Sequence, residues 1–474
     1  MKKLFAVLSG MLMLLPFLSI KKAEAINFPM PIEINSESAI VINLDSDMVI
    51  HEKNADIQQM PGPLVNIMTA IICLENCQDL SAQITINESV YSGLYATEYI
   101  DDLRFADIYD GDILTVSDLL YAMMLTSSVE AAQTIANYIC DGSISGFVDM
   151  MNEKAKEIGL NSTHFANPTG VYNINQYTTA RDMAKLTQYA LDIPMFETIA
   201  TTAEYTPSIP NAASHSKMNE WVWKNSNLLM DPSRSEYFYN GAKGIKTGNL
   251  TASGRNVITI AGKEGYNYLV VLMKAPIKDS EGEEKFFHLE DTIKILDWAF
   301  YNFSYQVILS ETVEIDEVKV TLADGNDYVL AKPKEEFSML WYNEIDTSLI
   351  KRDGENIKFD KESFQAPIRK NQHLGEVTLT YSGETLATIE LVAVSDVERS
   401  ASKYNMYAIR MFRNSNWFNK AMYAALILCT IYIAVCLYSY MRYKQNSKPV
   451  MSRYALPTVK SNNKNKNTKD NDNK

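Results

Sequence analysis

The chain has 474 residues, 46% of them hydrophobic, which is enough for about two or three domains with full cores. The formal net charge is −14; residues 1–25 carry +3 and residues 442–474 carry +7, so the stretch between them carries −24. A stretch this acidic excludes nucleic acid as a partner, because it would repel phosphates.

The first 25 residues have the pattern of a secretory signal peptide. Two lysines precede an apolar run from Leu4 to Ile20, which is followed by the small-x-small sequence Ala-Glu-Ala. We predict a signal peptide over residues 1–25, with Ile26 as the first mature residue. An uncleaved N-terminal membrane anchor is the alternative, and the proline in the run and the small-x-small ending favour cleavage.

Alternating and helical apolar patterns follow in the next hundred residues. Residues 38–54 alternate apolar and polar around Asp-Ser-Asp, which predicts a hairpin. From Leu64, apolar residues recur at 64, 67, 68, 71 and 72, which predicts one face of a helix. Thr115 and Asp118 form a possible capping box, after which residues 116–139 predict helices on either side of Thr126-Ser127-Ser128.

The pattern remains mixed up to about residue 304 and then changes. Residues 180–192 predict a helix, residues 252–276 two strands joined by a glycine-containing turn, and residues 289–303 another helix. Beyond residue 305, short strands with turn signals between them predict a small all-β domain over 305–397. No internal repeat is visible.

The C-terminal part predicts a membrane span. Residues 421–440 form about 20 uncharged residues, enough to cross a hydrocarbon core of about 30 Å. Aromatic residues flank the run and basic residues follow it, so the positive-inside rule places the tail in the cytoplasm. We predict a connector over 398–420, a transmembrane helix over 421–441 and a polar, basic cytoplasmic tail over 442–474, with the bulk of the chain extracytoplasmic.

Cysteine and histidine usage gives no support for a metal or a cofactor. Cys73, Cys77 and Cys140 are the only cysteines in the exported part, so at most one disulfide can form among them. The five histidines show no metal-ligand spacing, and we expect neither a metal nor a cofactor.

Several stretches together resemble the serine D-alanyl-D-alanine carboxypeptidases, the low-molecular-mass penicillin-binding proteins. Residues 241–256, "GAKGIKTGNLTASGRN", carry Lys246-Thr247-Gly248, the family's Lys-Thr-Gly motif. Ser127 stands at the serine of the family's Ser-x-Asn motif, and residues 164–186 and 365–397 resemble two further family blocks. The resemblance covers about residues 30–397.

The resemblance implies a fold and a pathway. We expect a mixed α/β domain over 26–304 with the helix–sheet–helix, β-lactamase-like transpeptidase fold, followed by the all-β domain and the membrane helix. It also implies a place in peptidoglycan metabolism, with a stem peptide or a cell-wall protein as the partner.

Two of the three catalytic motifs of this family are broken in this chain. At the family's Ser-x-x-Lys, Pro63 occupies the nucleophile position and Asn66 the base position; in the second motif Val129 replaces Asn. A serine needs a neighbouring base to become nucleophilic, proline has no hydroxyl, and asparagine does not accept a proton at neutral pH. The resemblance also implies two oxyanion-hole N–H donors, the nucleophile's own and that of Asn249, and proline lacks an N–H.

Three hypotheses follow from this pattern. The leading one is an inactive pseudoenzyme whose cleft binds its ligand through Ser127, Lys246, Thr247, Gly248 and Asn249. The second is an active carboxypeptidase that uses Ser127 as nucleophile and Lys246 as base, and the third is a purely structural interaction protein. Displaced Ser-x-x-Lys sequences at Ser214–Lys217 and Ser400–Lys403 offer a further route to activity. They are weak evidence for it, because the predicted signal peptide contains the same spacing by chance.

Overall fold

The computed structural model describes residues 26, 28–96, 99–208, 215 and 221–446. The predicted signal peptide, residues 447–474 of the predicted tail, and Ser214 and Lys217 lie outside the described residues. The chain divides into two compact units: residues 26–317, Leu330–Glu362 and Lys370–Val394 form the first, and Val318–Val329, Ser363–Arg369 and residues 395–446 form the second.

Helices and strands alternate through the described residues up to residue 302. The strands are β1 (Ser38–Asn43), β2 (Met48–Lys53), β3 (Gln83–Thr85), β4 (Ile113–Thr115), β5 (Glu204–Tyr205), β6 (Trp223–Lys224), β7 (Ala242–Leu250), β8 (Gly254–Lys263) and β9 (Tyr266–Ala275). The α-helices are α1 (Asn66–Asn76), α2 (Val116–Thr126), α3 (Val129–Ile139), α4 (Ile144–Ile158), α5 (Ala180–Leu191), α6 (Phe196–Ala200) and α7 (Phe287–Asn302).

A five-stranded antiparallel sheet forms the centre of the first unit, in the order β2-β1-β9-β8-β7. The predicted hairpin is confirmed as β1 and β2, and the two strands predicted over 252–276 are β8 and β9. Strand β7 lies at the edge of the sheet, where Lys246 pairs with Ile258 and Asn249 with Arg255. An edge strand exposes one side of its backbone, so β7 is placed to line a cleft.

Helix α1 is buried because it is apolar on nearly every face that packs against a neighbouring helix. It contacts α2, α3, α4 and α5, and the five apolar positions predicted from the sequence, 64, 67, 68, 71 and 72, are all at most 1% exposed. Helix α2 begins with the predicted capping box: Thr115 Oγ1 accepts from the Asp118 N–H at 3.0 Å, and the Asp118 carboxylate accepts from the Thr115 N–H at 2.8 Å.

The segment over residues 303–446 is β-rich and then helical. Its strands are β10 (Phe303–Leu309), β11 (Asp316–Thr321), β12 (Tyr328–Pro333), β13 (Phe337–Tyr342), β14 (Ile357–Phe359), β15 (Ser363–Gln365), β16 (His373–Tyr381) and β17 (Glu384–Ala393). In the first unit, β10 pairs with β13, β16 pairs with β14 and β17, and residues 331–333 pair with β17, all antiparallel. In the second unit, β11 and β15 pair in parallel.

Two helices follow, α8 (Ala401–Arg413) and α9 (Asn416–Asn446). Helix α9 contains the predicted span and is the one helix among the described residues that is long and apolar enough to cross a membrane. Helix α8 lies within the predicted connector, where no helix was predicted. Its Lys403 Nζ donates to the Ala323 carbonyl at 2.8 Å.

Candidate active site

The degenerate first motif forms a helical turn that leads directly into α1. Residues Gly62–Val65 form a 3₁₀-helix, all four of them buried, and α1 begins at Asn66. Pro63 lies in the first turn, where a proline fits because the N–H it lacks has no helical partner there. The turn therefore retains the geometry of a helix start, with no hydroxyl at its second residue.

The turn is fastened to the loop at residues 167–170. Asn66 Nδ2 and Thr69 Oγ1 both donate to the Pro168 carbonyl, at 3.3 and 2.7 Å. Gly170 has φ +81°, and a Cβ there would collide with the Gly62 carbonyl and lie 2.8 Å from the Pro63 Cα. Asn66 is fully buried and acts as a donor to the backbone, which is a structural role and not that of a base.

The second motif joins two helices end to end. Ser127 ends α2 in the left-handed conformation, with φ 64°, and is 6% exposed. Ser128 caps α3 by accepting from the Ala131 N–H at 3.0 Å. Val129 is the first residue of α3 and is 4% exposed, so it presents an apolar side chain where the family's asparagine would offer an amide.

Lys246 lies beneath the cleft floor and contacts Ser127. Its side chain is 1% exposed, and Nζ donates to Ser127 Oγ and, at 3.2 Å, to the Thr247 carbonyl. Burial lowers the pKa of Lys246 to about 7, because a charged amine is costly away from water. At neutral pH a large fraction of this amine is therefore uncharged and able to accept a proton.

The other retained residues line the cleft beside Pro63. Thr247 Oγ1 is 2.6 Å from Ser226 Oγ. A Cβ on Gly248 would lie 3.2 Å from Pro63 Cδ, so the strand passes in close contact with the proline ring. The Asn249 amide oxygen is buried and has no hydrogen-bond partner among the described residues.

The cleft has a volume of about 310 Å³ and contains residues that sequence reasoning did not identify. Of the predicted residues, the cleft is lined by Pro63, Ser127, Thr247, Gly248 and Asn249, whereas Asn66, Val129 and Lys246 lie behind its walls. Its lining also includes Arg104, Thr126, Ser226, Leu228, Arg255, Glu284, Phe286, His288 and Leu289. One signal was available in the sequence, an arginine at the second position of strand β8, ahead of its mostly apolar residues 257–261.

Charge in the cleft is dominated by arginine. Arg255 is 5% exposed, and its Nη2 donates to Glu284 Oε2 at 3.1 Å. Burial and the neighbouring Arg255 charge lower the pKa of His288 to about 3, so this imidazole is neutral at physiological pH. Burial also lowers the pKa of Arg255, but a guanidinium titrates so high that it stays charged.

The displaced Ser-x-x-Lys sequence at Ser400–Lys403 does not form a serine–lysine pair. Ser400 Oγ is 3.1 Å from Ser402 Oγ, while Lys403 Nζ donates to the Ala323 carbonyl. Within the described part of the chain, no group of three or more His, Cys, Asp or Glu side chains could hold a metal ion. All five cysteines are free thiols.

The cleft has the groups to bind a ligand but lacks the groups for the covalent reaction that its fold suggests. It contains donors and positive charge for an anionic ligand, and the Ser127 hydroxyl in its lining is hydrogen-bonded to the Lys246 amine behind the wall. At the start of α1, where the family resemblance puts the nucleophile, Pro63 offers neither a hydroxyl nor an N–H.

Comparisons with known proteins agree over most of the chain. Residues 23–277 match the family of D-alanyl-D-alanine carboxypeptidases, and residues 303–399 match the C-terminal domain of penicillin-binding protein 5. The D-alanyl-D-alanine carboxypeptidase DacF of Bacillus subtilis is 26% identical over 365 residues, covering 77% of this chain and 86% of the relative. DacA of Escherichia coli K12 is 26% identical over 390 residues, covering 80% and 89%.

Solved structures show the same fold. Penicillin-binding protein 5 of Haemophilus influenzae superposes with a TM-score of 0.53 at 23% identity, covering 78% of this chain and 100% of the other. The carboxypeptidase DacD of Francisella tularensis gives 0.57 at 21% identity, covering 80% and 97%. The predicted mixed α/β transpeptidase-like fold with an all-β C-terminal domain is confirmed.

Proposed function

Because the chain belongs to the D-alanyl-D-alanine carboxypeptidase family, we propose that it is a non-catalytic protein of cell-wall metabolism. Its cleft binds the peptidoglycan stem peptide, or a cell-wall protein that offers similar chemistry, and does not cleave it. The proposal separates two properties that its relatives combine, which are recognition of the peptide and covalent attack on it.

The observation that carries this proposal is Pro63 at the start of α1. An acyl-enzyme requires a hydroxyl at that position, and Pro63 has a ring that packs against Gly248 instead. Loss of one oxyanion donor alone typically costs about 10²–10³ in rate. Asn66, hydrogen-bonded to the Pro168 carbonyl, adds the loss of the base.

Retention of the opposite wall supports binding. Strand β7 keeps Thr247, Gly248 and Asn249 along the cleft, and Ser127 faces them from the end of α2. Hydroxyl and guanidinium donors of this kind suit a peptide with a free carboxylate.

Two measurements on the full chain in detergent test the proposal. Calorimetric titration with an N-acylated D-alanyl-D-alanine peptide should give saturable binding. Incubation of the same sample should release no D-alanine above the rate in buffer. Release of D-alanine would reject the non-catalytic part of the proposal. Absence of binding would reject the stem peptide as the ligand.

A second candidate function rests on the Ser127–Lys246 contact. A hydroxyl beside an amine with a pKa near 7 has the arrangement of an activated nucleophile, so Ser127 is the residue through which slow hydrolysis would proceed. This function predicts D-alanine release that Ser127→Ala abolishes. Equal release by wild type and Ser127→Ala, or none by either, removes it.

Membrane anchoring is also part of the proposal. Helix α9 anchors the chain, residues 26–416 lie outside the cytoplasm and the basic tail lies inside, in accordance with the positive-inside rule. Protease added to sealed cells should remove the bulk of the chain and leave a tag on the tail intact. If the cleft binds no ligand at all, the third hypothesis, a structural interaction protein, replaces the binding proposal. The membrane topology is the same in both.

A further inference from the structure

The Arg255 guanidinium is hydrogen-bonded along only half of one edge. Its Cζ lies 4.2 Å from the Phe286 ring centroid, so one face is covered by the aromatic ring. On the edge formed by Nε and Nη2, Nη2 donates to Glu284 at 3.1 Å, while Nε is buried and has no hydrogen-bond partner among the described residues. These two N–H groups point in the same direction and match the two oxygens of one carboxylate.

Another arginine in the same unit shows this edge filled. Arg181 donates from Nε to Asp56 Oδ1 at 2.8 Å and from Nη2 to Asp56 Oδ2 at 2.9 Å. Asp56 therefore satisfies both N–H groups, whereas Glu284 satisfies one. A buried charged donor without a partner is unfavourable, so the edge of Arg255 has capacity for a better-placed carboxylate.

Glu284 is placed to leave when such a carboxylate arrives. The glutamate side chain is 69% exposed, while that of Arg255 is 6% exposed, so the arginine is fixed in the wall and the glutamate extends into solvent. Glu284 is also the only acidic residue among the described residues that line the cleft, which otherwise contains Arg104 and Arg255. Because the glutamate is exposed, water competes for its carboxylate and weakens its hold on Arg255.

We propose that Glu284 holds the place of a ligand carboxylate. A ligand with a free carboxylate displaces Glu284 and binds both Nε and Nη2 of Arg255, which remains stacked on Phe286. Arg255 is the cross-strand neighbour of Asn249, so the carboxylate lies at the end of β7 just beyond Lys246-Thr247-Gly248. This inference rests on the proposed function, and it adds the anchoring residue and a built-in competitor.

His288 does not take this role, although it lines the same part of the cleft. Its pKa of about 3 keeps it uncharged at neutral pH, and its Nδ1 is buried. The cationic groups of the cleft are therefore Arg104 and Arg255, and Arg255 is the one whose Nε has no hydrogen-bond partner among the described residues.

The test compares the full chain and four variants in detergent by calorimetry. The probes are an N-acylated D-alanyl-D-alanine peptide and the same peptide with its C-terminus amidated. Glu284→Gln removes the competing charge and should tighten binding of the acid about fivefold, with no gain for the amide. Arg255→Lys removes the paired N–H groups and should weaken binding of the acid about tenfold or more.

Two controls accompany these variants. Glu283→Gln removes the same charge from an exposed neighbour that does not line the cleft, and Arg181→Lys alters the filled arginine edge. Both should bind the acid as the wild type does. Thermal unfolding of each variant reports whether it is folded, and the Glu284→Gln result stands even if Arg255→Lys fails to fold.

The outcomes separate this inference from the proposed function. If the wild type binds the acid and Glu284→Gln leaves its affinity unchanged or weaker, the competitor role is overturned and peptide binding stands. If neither the wild type nor Glu284→Gln binds the acid, the competitor role and the proposed peptide binding are both overturned. Binding by Glu284→Gln alone supports the competitor role in its strongest form.

Discussion

The turn at residues 62–66 and strand β7 meet in one cleft, but they differ in which features of the family's pattern they have. The turn leads into α1 and bonds to the Pro168 carbonyl, and it has Pro63 and Asn66 at the two positions where the family resemblance puts the nucleophile and the base. Strand β7 keeps both its place in the sheet and its Lys-Thr-Gly side chains, with Lys246 still contacting Ser127.

This difference separates what folding requires from what a reaction requires. Folding requires volume, a helix start and satisfied backbone groups, and Pro63 and Asn66 supply all three. Acyl transfer by this family's chemistry requires a hydroxyl, a base and an N–H at fixed points, and Pro63 and Asn66 supply none of them. The comparison predicts that the turn responds to mutation as a packing element.

The largest effect is expected where the turn meets the 167–170 loop. Gly170→Ala should destabilise the protein by about 3 kcal/mol, because the new methyl group collides with the Gly62 backbone and the residue has a positive φ. Denaturant unfolding measures this. Gly93→Ala, where a Cβ meets nothing within 4 Å, is the control and should change stability by less than about 0.5 kcal/mol.

If Gly170→Ala were as stable as the control, the turn would not be fixed by this loop. The claim that the turn is retained for packing would then fail.

The next effect is a pH-dependent one at Lys246. The folded state holds its amine at a pKa of about 7, below the unfolded value of about 10.4, so the unfolded state binds more protons between these pH values. Wild-type stability should therefore rise with pH in this window, by about 1.4 kcal/mol per pH unit from this group. Lys246→Met lacks this contribution, so its stability relative to wild type should fall by about 2 kcal/mol between pH 7 and 9.

Urea unfolding at pH 6, 7, 8 and 9 measures the Lys246 effect. Lys263→Met, which removes an exposed lysine, corrects for the general loss of one positive charge. A Lys246→Met difference that stays constant with pH would show that the buried amine is not held uncharged, and the contrast with the turn would weaken.

A smaller effect is expected at the far end of the helix that positions Ser127. Thr115→Ala removes the capping box of α2 and should cost about 1 kcal/mol in unfolding free energy. Because Ser127 lies at the opposite end of α2, peptide affinity should stay unchanged. Loss of affinity together with stability would show that the Ser127 wall depends on the whole helix.

Sequence patterns predicted much of this molecule for identifiable reasons. Apolar periodicity from Leu64 identified α1, and Thr115 with Asp118 identified the start of α2, because both signals are local. The Arg255–Glu284 pair was not predicted, since its partners are 29 residues apart and meet only when β8 and the segment before α7 come together. Helix α8 was also missed, because polar residues interrupt its apolar positions.

The site was partly predictable for the same reason. Motif order identified Lys246, Thr247, Gly248 and Asn249, and the structure brings Lys246 against Ser127. The burial that lowers the pKa of Lys246 is a tertiary property, and no pattern in residues 241–256 indicates it. The same holds for the contact between Gly248 and Pro63.

Labelled-penicillin acylation tests the central claim most directly, through intact mass or fluorescence of the full chain in detergent. The wild type is compared with the triple variant Pro63→Ser/Asn66→Lys/Val129→Asn, which restores all three family positions. We expect covalent label on the triple variant and none on the wild type. Label on the wild type, at Ser127 or elsewhere, would contradict a non-catalytic cleft.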